Sequence, residues 1–196
     1  LKPHVDRIVA SVFVNPTQFG PNEDFDRYPR TPEADARGLD AAGCDLLWMP
    51  SVETMYPLGV ARTVTVRVPG VTTILDGAHR PGHFDGVATV VAKLWNIVRP
   101  AVPALRSYFG QKDAQQLTVL RRLATDLDID VDVRAVPIVR SPEGLALSSR
   151  NTRLDAAGLE HALVLSRALR SLADAAAAGE PVDVQAARRM VEDEPG

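Results

Sequence analysis

Three clusters in this chain bring together side chains able to do chemistry. The first is Tyr108-Phe109-Gly110-Gln111-Lys112-Asp113, running into Gln115-Gln116. A strand that ends in Gly-x-Lys-Asp and turns into a helix offers free backbone N–H groups, a mobile cation and a carboxylate at one place. Gly110 leaves room for a ribose or phosphate to approach the backbone. The second cluster, Leu145-Ala146-Leu147-Ser148-Ser149-Arg150-Asn151, supplies two hydroxyls and a guanidinium able to wrap polyphosphate oxygens. The third is Phe13-Val14-Asn15-Pro16-Thr17-Gln18-Phe19, in which the Gln18 amide can hydrogen-bond a carboxylate or hydroxyl of a small polar substrate. Each also has a plainer reading. Asp113 can be a simple helix cap, Lys112 a solvated lysine, Ser148 to Arg150 a polar turn, and Gln18 one more loop glutamine.

The surrounding pattern predicts elements that present these residues. Ile8-Val9-Ala10-Ser11-Val12-Phe13-Val14 reads as a central strand of a parallel sheet, covered on both faces. A helix capped by Thr31, with Pro32 at its first position and Gly43 past its end, leads to a short strand at 46–49. Residues 63–68 alternate as Thr-Val-Thr-Val-Arg-Val and predict a half-exposed strand. From 84 to 98, Val87, Val90, Val91, Leu94, Ile97 and Val98 fall on one helical face. A strand up to Phe109, a helix from Asp113 burying Leu117, Leu120, Leu123 and Leu127, and a strand at 131–139 form a parallel crossover. Ala-rich helices over 155–178 and 184–191 read as a separate small unit. In open parallel sheets ligands sit at the carboxyl ends of strands, where the first and third clusters fall.

Composition narrows the function classes. With 45% hydrophobic and 24% charged residues, the chain resembles an ordinary globular protein. A net charge of −3 gives no broad field for a nucleic-acid backbone. The single Cys44 excludes an internal disulfide and a cysteine-rich metal site, and points to a reducing compartment, the cytoplasm. No apolar run reaches bilayer-spanning length, so a membrane is not expected as a partner. His79 and His83 lack an acidic or cysteine partner at ligand spacing and read as loop-shaping rather than metal-binding.

Together, Phe13-Val14-Asn15-Pro16-Thr17-Gln18-Phe19-Gly20, Glu23-Asp24-Phe25-Asp26-Arg27-Tyr28-Pro29-Arg30-Thr31, His83-Phe84-Asp85-Gly86-Val87, Phe109-Gly110-Gln111-Lys112-Asp113-Ala114-Gln115-Gln116 and Leu147-Ser148-Ser149-Arg150-Asn151 resemble, in order, the pantoate-β-alanine ligases (pantothenate synthetases) of the nucleotidyltransferase superfamily. The resemblance implies a Rossmann-like domain at 1–138 that holds nucleotide and pantoate, and a small α+β lid domain beginning at 139–196. It implies ATP-dependent condensation of pantoate with β-alanine through a pantoyl adenylate, releasing pyrophosphate and AMP, with Mg²⁺ accompanying the ATP and a homodimeric enzyme. By position, Gln18, Gln116 and Asn15 would meet substrate; Gly110, Gln111, Lys112 and Asp113 would hold ATP; Val139 would meet the adenine; and Leu147, Ser148, Ser149 and Arg150 would close on the phosphates. Lys112, Ser148, Ser149 and Arg150 would act catalytically, by neutralising charge rather than by nucleophilic attack.

The same resemblance predicts three departures. The family's first strand and its His-x-Gly-His helix precede the point where this chain begins, so the chain is expected to be a fragment and, alone, inactive. Residues 101–106 look a few residues longer than the family's link. The C-terminal unit is expected to stop early. Two other readings stay open: an adenylyl-transferring enzyme with another substrate, and a non-catalytic nucleotide-binding fragment.

Overall fold

Two strand–helix–strand crossovers organise the first part of the molecule. The structure, a computed structural model, describes residues 5–101 and 105–194. Strand β1 (Val9–Ser11) leads through helix α1 (Pro32–Ala41) to the parallel strand β2 (Leu46–Trp48), with Val9 opposite Leu46 and Ser11 opposite Trp48. Two short helices, α2 (Val52–Met55) and α3 (Asp76–His79), precede the long helix α4 (His83–Val98). Strand β3 (Arg106–Gly110) then passes through α5 (Ala114–Asp126) to the parallel strand β4 (Asp132–Val136), in register from Arg106 opposite Asp132 to Gly110 opposite Val136. Parallel strands flanked by helices make this the Rossmann-like α/β fold that the sequence implies.

Helix α4 is the spine of this unit. Its Phe84, Val87, Ala88, Val91 and Trp95 recur at helical spacing and are buried against Leu120 and Leu123 of α5 and against Met55 and Tyr56. Each large side chain so buried contributes roughly 1.5–3 kcal/mol before the cost of ordering it. Gly82 begins the helix at φ 82°, a left-handed conformation that any Cβ would strain.

Contacts divide the chain into two compact units, Leu1–Val136 and Pro137–Gly196. In the second, a turn through Gly144 pairs Arg140 with Ala146 as an antiparallel bridge, and a 3₁₀ turn covers Ser149–Arg153. Helices α6 (Ala156–His161), α7 (Val164–Ala178) and α8 (Val184–Glu192) follow. Asp155 and Asp183 cap α6 and α8 by accepting from Gly158 N–H and Ala186 N–H, both at 2.8 Å. Among the described residues no helix is long and apolar enough to cross a membrane.

Several expectations need correction. Residues 63–68 are extended but pair with no strand among the described residues. Their alternation reflects packing instead: Val68 is buried, and the Val66 N–H is taken by Thr89 Oγ1 of α4 at 2.8 Å. Strand β1 is not covered on both faces: it is three residues long, has β2 as its one partner among the described residues, and leaves Val9 exposed. Leu127 is exposed because α5 ends at Asp126, so the next side chain leaves the helical face; Val119 and Ala124 are buried there instead. Ile97 likewise sits on the open side of α4, where Trp95 takes the buried position. The helix expected over 155–178 is interrupted between His161 and Val164. Thr31 does not cap α1; its hydroxyl donates to Asp35 Oδ1 at 3.1 Å. Residues 102–104 of the expected insertion at 101–106 lie outside the described residues.

Candidate functional site

The loop after β1 is built around a buried amide. Asn15 is 1% exposed, and its Oδ1 accepts from Tyr56 Oη at 2.6 Å, Thr17 Oγ1 at 3.0 Å and Thr17 N–H at 3.3 Å. Its Nδ2 donates to Gly86 O at 3.2 Å and to Gln18 Oε1 at 3.3 Å. Pro16 starts the 3₁₀ turn Pro16–Gln18, and Asn15 caps it. This turn lies directly on α4, because Gly86 has no side chain: a Cβ there would sit 2.2 Å from Thr17 O. Burial pushes the Tyr56 phenol above its ordinary pKa, partly offset by its bonds to Thr17 and Asn15, so it remains a donor.

A second network fixes the backbone of the same loop. The Gln18 carbonyl accepts from His83 Nδ1 at 2.7 Å, and Arg80 Nη1 donates to His83 Nε2 at 3.1 Å. Arginine has no acceptor, so Nε2 is the unprotonated nitrogen and the ring is neutral with its proton on Nδ1. Burial, chiefly, lowers the His83 pKa and favours that form; the Gln18 carbonyl opposes the shift and the Arg80 charge reinforces it. Arg80 also makes two 2.6 Å hydrogen bonds to Glu23. These bonds, above all, hold the Glu23 carboxyl below the ordinary carboxylate value.

The turn after β3 is the opposite kind of place. A Cβ on Gly110 would meet nothing within 4 Å, and the φ of −69° there is open to any residue. The glycine therefore provides space rather than an unusual conformation. Gln111–Asp113 form a 3₁₀ turn that runs into α5. Asp113 stands at the cap position of α5 without capping it; its carboxylate pairs with Lys112 Nζ at 3.3 Å, both side chains being exposed. The simple-cap reading of Asp113 thus fails, and the carboxylate points to solvent and lysine. In the first turn of α5, Gln115 is fully occupied: its Nε2 donates to Val71 O and Ile74 O, and its Oε1 accepts from Asp76 N–H at 3.0 Å. Gln116 beside it is half-buried.

Segment 71–83 therefore meets the first turn of α5 through Gln115 at one end and the loop after β1 through Gln18 at the other. Sequence reasoning proposed Asn15, Gln18, Gln116 and residues 110–113; the structure sets all of them in the first unit, with Asn15 facing inward. Tyr56 and Arg80 are given no role by that reasoning, and Glu23 and Gly86 enter only as parts of motifs that carry the resemblance. The Tyr56–Asn15 burial and the Gly86 contact reveal the first loop's support, and the Arg80–Glu23 pair reveals the second network.

In the second unit, Val139 O accepts from Leu147 N–H at 2.9 Å, so two of the proposed nucleotide residues face each other across one turn. Ser148 Oγ accepts from Arg150 N–H at 3.3 Å and caps the 3₁₀ turn that carries Ser149 and Arg150, both exposed. Asn151 Nδ2 anchors that turn to Ala146 O at 3.0 Å.

The family model described as pantoate-beta-alanine ligase matches residues 1–195. A pantothenate synthetase of Xanthomonas euvesicatoria pv. vesicatoria is 53% identical over 192 residues, covering 98% of this chain and 65% of the relative. One from Xylella fastidiosa strain M12 is 53% identical over 190 residues, covering 95% and 66%. The chain thus spans about 65% of the length of the curated relatives it matches. Among solved structures, a pantothenate synthetase of Thermus thermophilus superposes with a TM-score of 0.92 at 47% identity, covering 99% of this chain and 69% of that one. A pantoate-beta-alanine ligase of Francisella tularensis, complexed with beta-gamma ATP and beta-alanine, superposes at 0.78 with 37% identity, covering 86% and 63%.

Proposed function

The chain belongs to the pantoate-beta-alanine ligase family, and on that premise we propose that the protein carrying it joins pantoate to β-alanine at the expense of ATP. A pantoate carboxylate oxygen attacks the α-phosphorus and pyrophosphate leaves. The β-alanine amine then attacks the acyl carbon of the adenylate, AMP departs with the bonding pair, and the amine gives up a proton. No step needs a nucleophilic side chain, so the residues hold, align and neutralise.

In this reading the open turn after β3 receives the nucleotide. The phosphate chain approaches the unhindered backbone at Gly110 and Gln111, Lys112 balances phosphate charge, and Asp113 accepts from ribose hydroxyls. The single observation that carries the assignment is this turn: Gly110 faces empty space and the Asp113 carboxylate is not used to cap α5. In the second unit, the Val139 backbone is assigned to adenine. Leu147, Ser148, Ser149 and Arg150 are assigned to phosphate oxygens, for which Arg150 offers the bidentate fork. Gln18 and Gln116 hold pantoate, Gln18 also lying near β-alanine. Asn15 supports Gln18 from within the core instead of touching substrate.

Among the described residues no three His, Cys, Asp or Glu side chains cluster to hold a metal. Mg²⁺ is assigned to the ATP, held mainly by phosphate oxygens and water, and the exposed Asp113 carboxylate is the side chain this turn could offer it. The ion would spread phosphate charge. The reaction is placed in the cytoplasm, the reducing compartment that the single Cys44 points to, and the protein is taken to be a homodimer on the strength of the resemblance.

The test is pyrophosphate exchange into ATP by the protein carrying this chain. Exchange that requires pantoate alone, followed by AMP release on adding β-alanine, is expected. Exchange driven by a different acid would replace pantoate with that substrate, and ATP binding without any exchange would leave a nucleotide-binding module.

A further inference from the structure

We infer that Tyr56, which lies too deep to touch any ligand, is a positioning residue: acting through Asn15, it fixes the Gln18 amide so that Nε2, and not Oε1, faces the ligand. The orientation follows from groups whose roles cannot change. The Thr17 backbone N–H can only donate and lies 3.3 Å from Asn15 Oδ1. The Gly86 carbonyl can only accept and lies 3.2 Å from Asn15 Nδ2. These two backbone groups identify which side-chain atom of Asn15 is the oxygen and which the nitrogen. Tyr56 Oη at 2.6 Å is the shortest contact to Oδ1 and locks the side chain from the far side.

The consequence passes to Gln18. The atom it turns toward Asn15 Nδ2, 3.3 Å away, meets a donor and so must be the oxygen. Its NH₂ group is directed the other way. The loop therefore offers a neutral hydrogen-bond donor and selects a ligand atom that accepts, such as a hydroxyl or carboxylate oxygen, while a ligand donor would meet another donor. Burial favours the protonated phenol, so Tyr56 holds this arrangement across the physiological pH range. A relay of this kind sets which ligand chemistry the loop takes, at no cost in charge.

The inference rests on the reading of Gln18 as a pantoate contact, and a double-mutant cycle separates the two. Tyr56→Phe keeps the ring, and Asn15 Oδ1 retains both Thr17 donors, so the fold survives the change. D-pantoate is titrated by calorimetry into the wild type, Tyr56→Phe, Gln18→Ala and the double variant. Loss of one orienting hydrogen bond is expected to weaken pantoate binding about 3- to 10-fold when Gln18 is present and by less than about 2-fold when it is Ala. Equal weakening in both backgrounds, or none when Gln18 is present, overturns the relay. If Gln18→Ala binds pantoate as well as wild type, the contact assigned to Gln18 is what fails. The relay is then decided by hydrogen exchange of the Asn15 side-chain amide, expected to be about tenfold faster in Tyr56→Phe; identical rates overturn it.

Discussion

The loops after β1 and β3 stand at corresponding points of the two crossovers yet are built in opposite ways. Residues 15–18 are pressed onto α4, with a buried asparagine whose polar atoms are all bonded and a glycine without which the contact could not form. Residues 110–113 carry a glycine facing empty space and an exposed lysine–aspartate pair. The first loop is internally complete; the second keeps its charges in solvent. The difference follows from desolvation. A neutral amide network can be buried once every group is bonded, whereas a charged pair is best left in water.

The contrast can be tested in descending order of effect. Lys112→Ala should lower adenylate formation by about 10²- to 10³-fold, the usual loss for one transition-state donor. It should leave the unfolding midpoint almost unchanged, because an exposed pair contributes about 0–1 kcal/mol; steady-state kinetics and urea unfolding read the two. Gly86→Ala should do the reverse at the first loop. Its Cβ must displace Thr17, costing roughly 2–4 kcal/mol in unfolding free energy by the same denaturant assay. A wild-type midpoint in that variant would mean that the 16–18 turn is not seated on α4.

A pH series sharpens the comparison further. His83 has a lowered folded pKa, so the native state binds fewer protons there than the unfolded chain; its contribution is complete above the ordinary imidazole value and is lost as pH falls below it. Glu23, also lowered, loses its contribution at more acidic pH, as pH falls below the ordinary carboxylate value. Thermal melts from pH 8 downward should therefore fall in two stages, and Glu23→Gln should shrink the lower stage, to which Glu53 and Glu143, also held below the ordinary carboxylate value, contribute as well. The smallest effect is expected from Gly110→Ala, within about 0.5 kcal/mol of wild type in stability because nothing lies near the added methyl. Fluorescence titration should nonetheless show weaker ATP binding. A large loss of stability there would end the description of that turn as open.

Much of this arrangement is legible in the residues themselves. The helix at 83–98 and the crossover through α5 follow from a helical period carried over several turns, and the Gly-x-Lys-Asp turn follows from a strand ending against a helix start. What the sequence hides is non-local. Arg80 and Glu23 are 57 positions apart, with no shared period to mark them as partners. Asn15 looks like a surface residue because polarity usually means exposure, and only the packing of Tyr56 and Gly86 reveals it as part of the core. Residues 63–68 show the converse: alternation reports that one side of an extended segment is buried, not that a neighbouring strand completes it.

Gln115 has a consequence of its own. It fastens Val71, Ile74 and Asp76 through an uncharged amide, while the other end of the same segment is gripped by an arginine–glutamate pair and a titratable ring. Acidity acts on the second fastening and leaves the first unaffected, while salt screens the partly buried Arg80–Glu23 pair only weakly. Falling pH would therefore weaken the end of the segment beside Gln18 before the end beside α5.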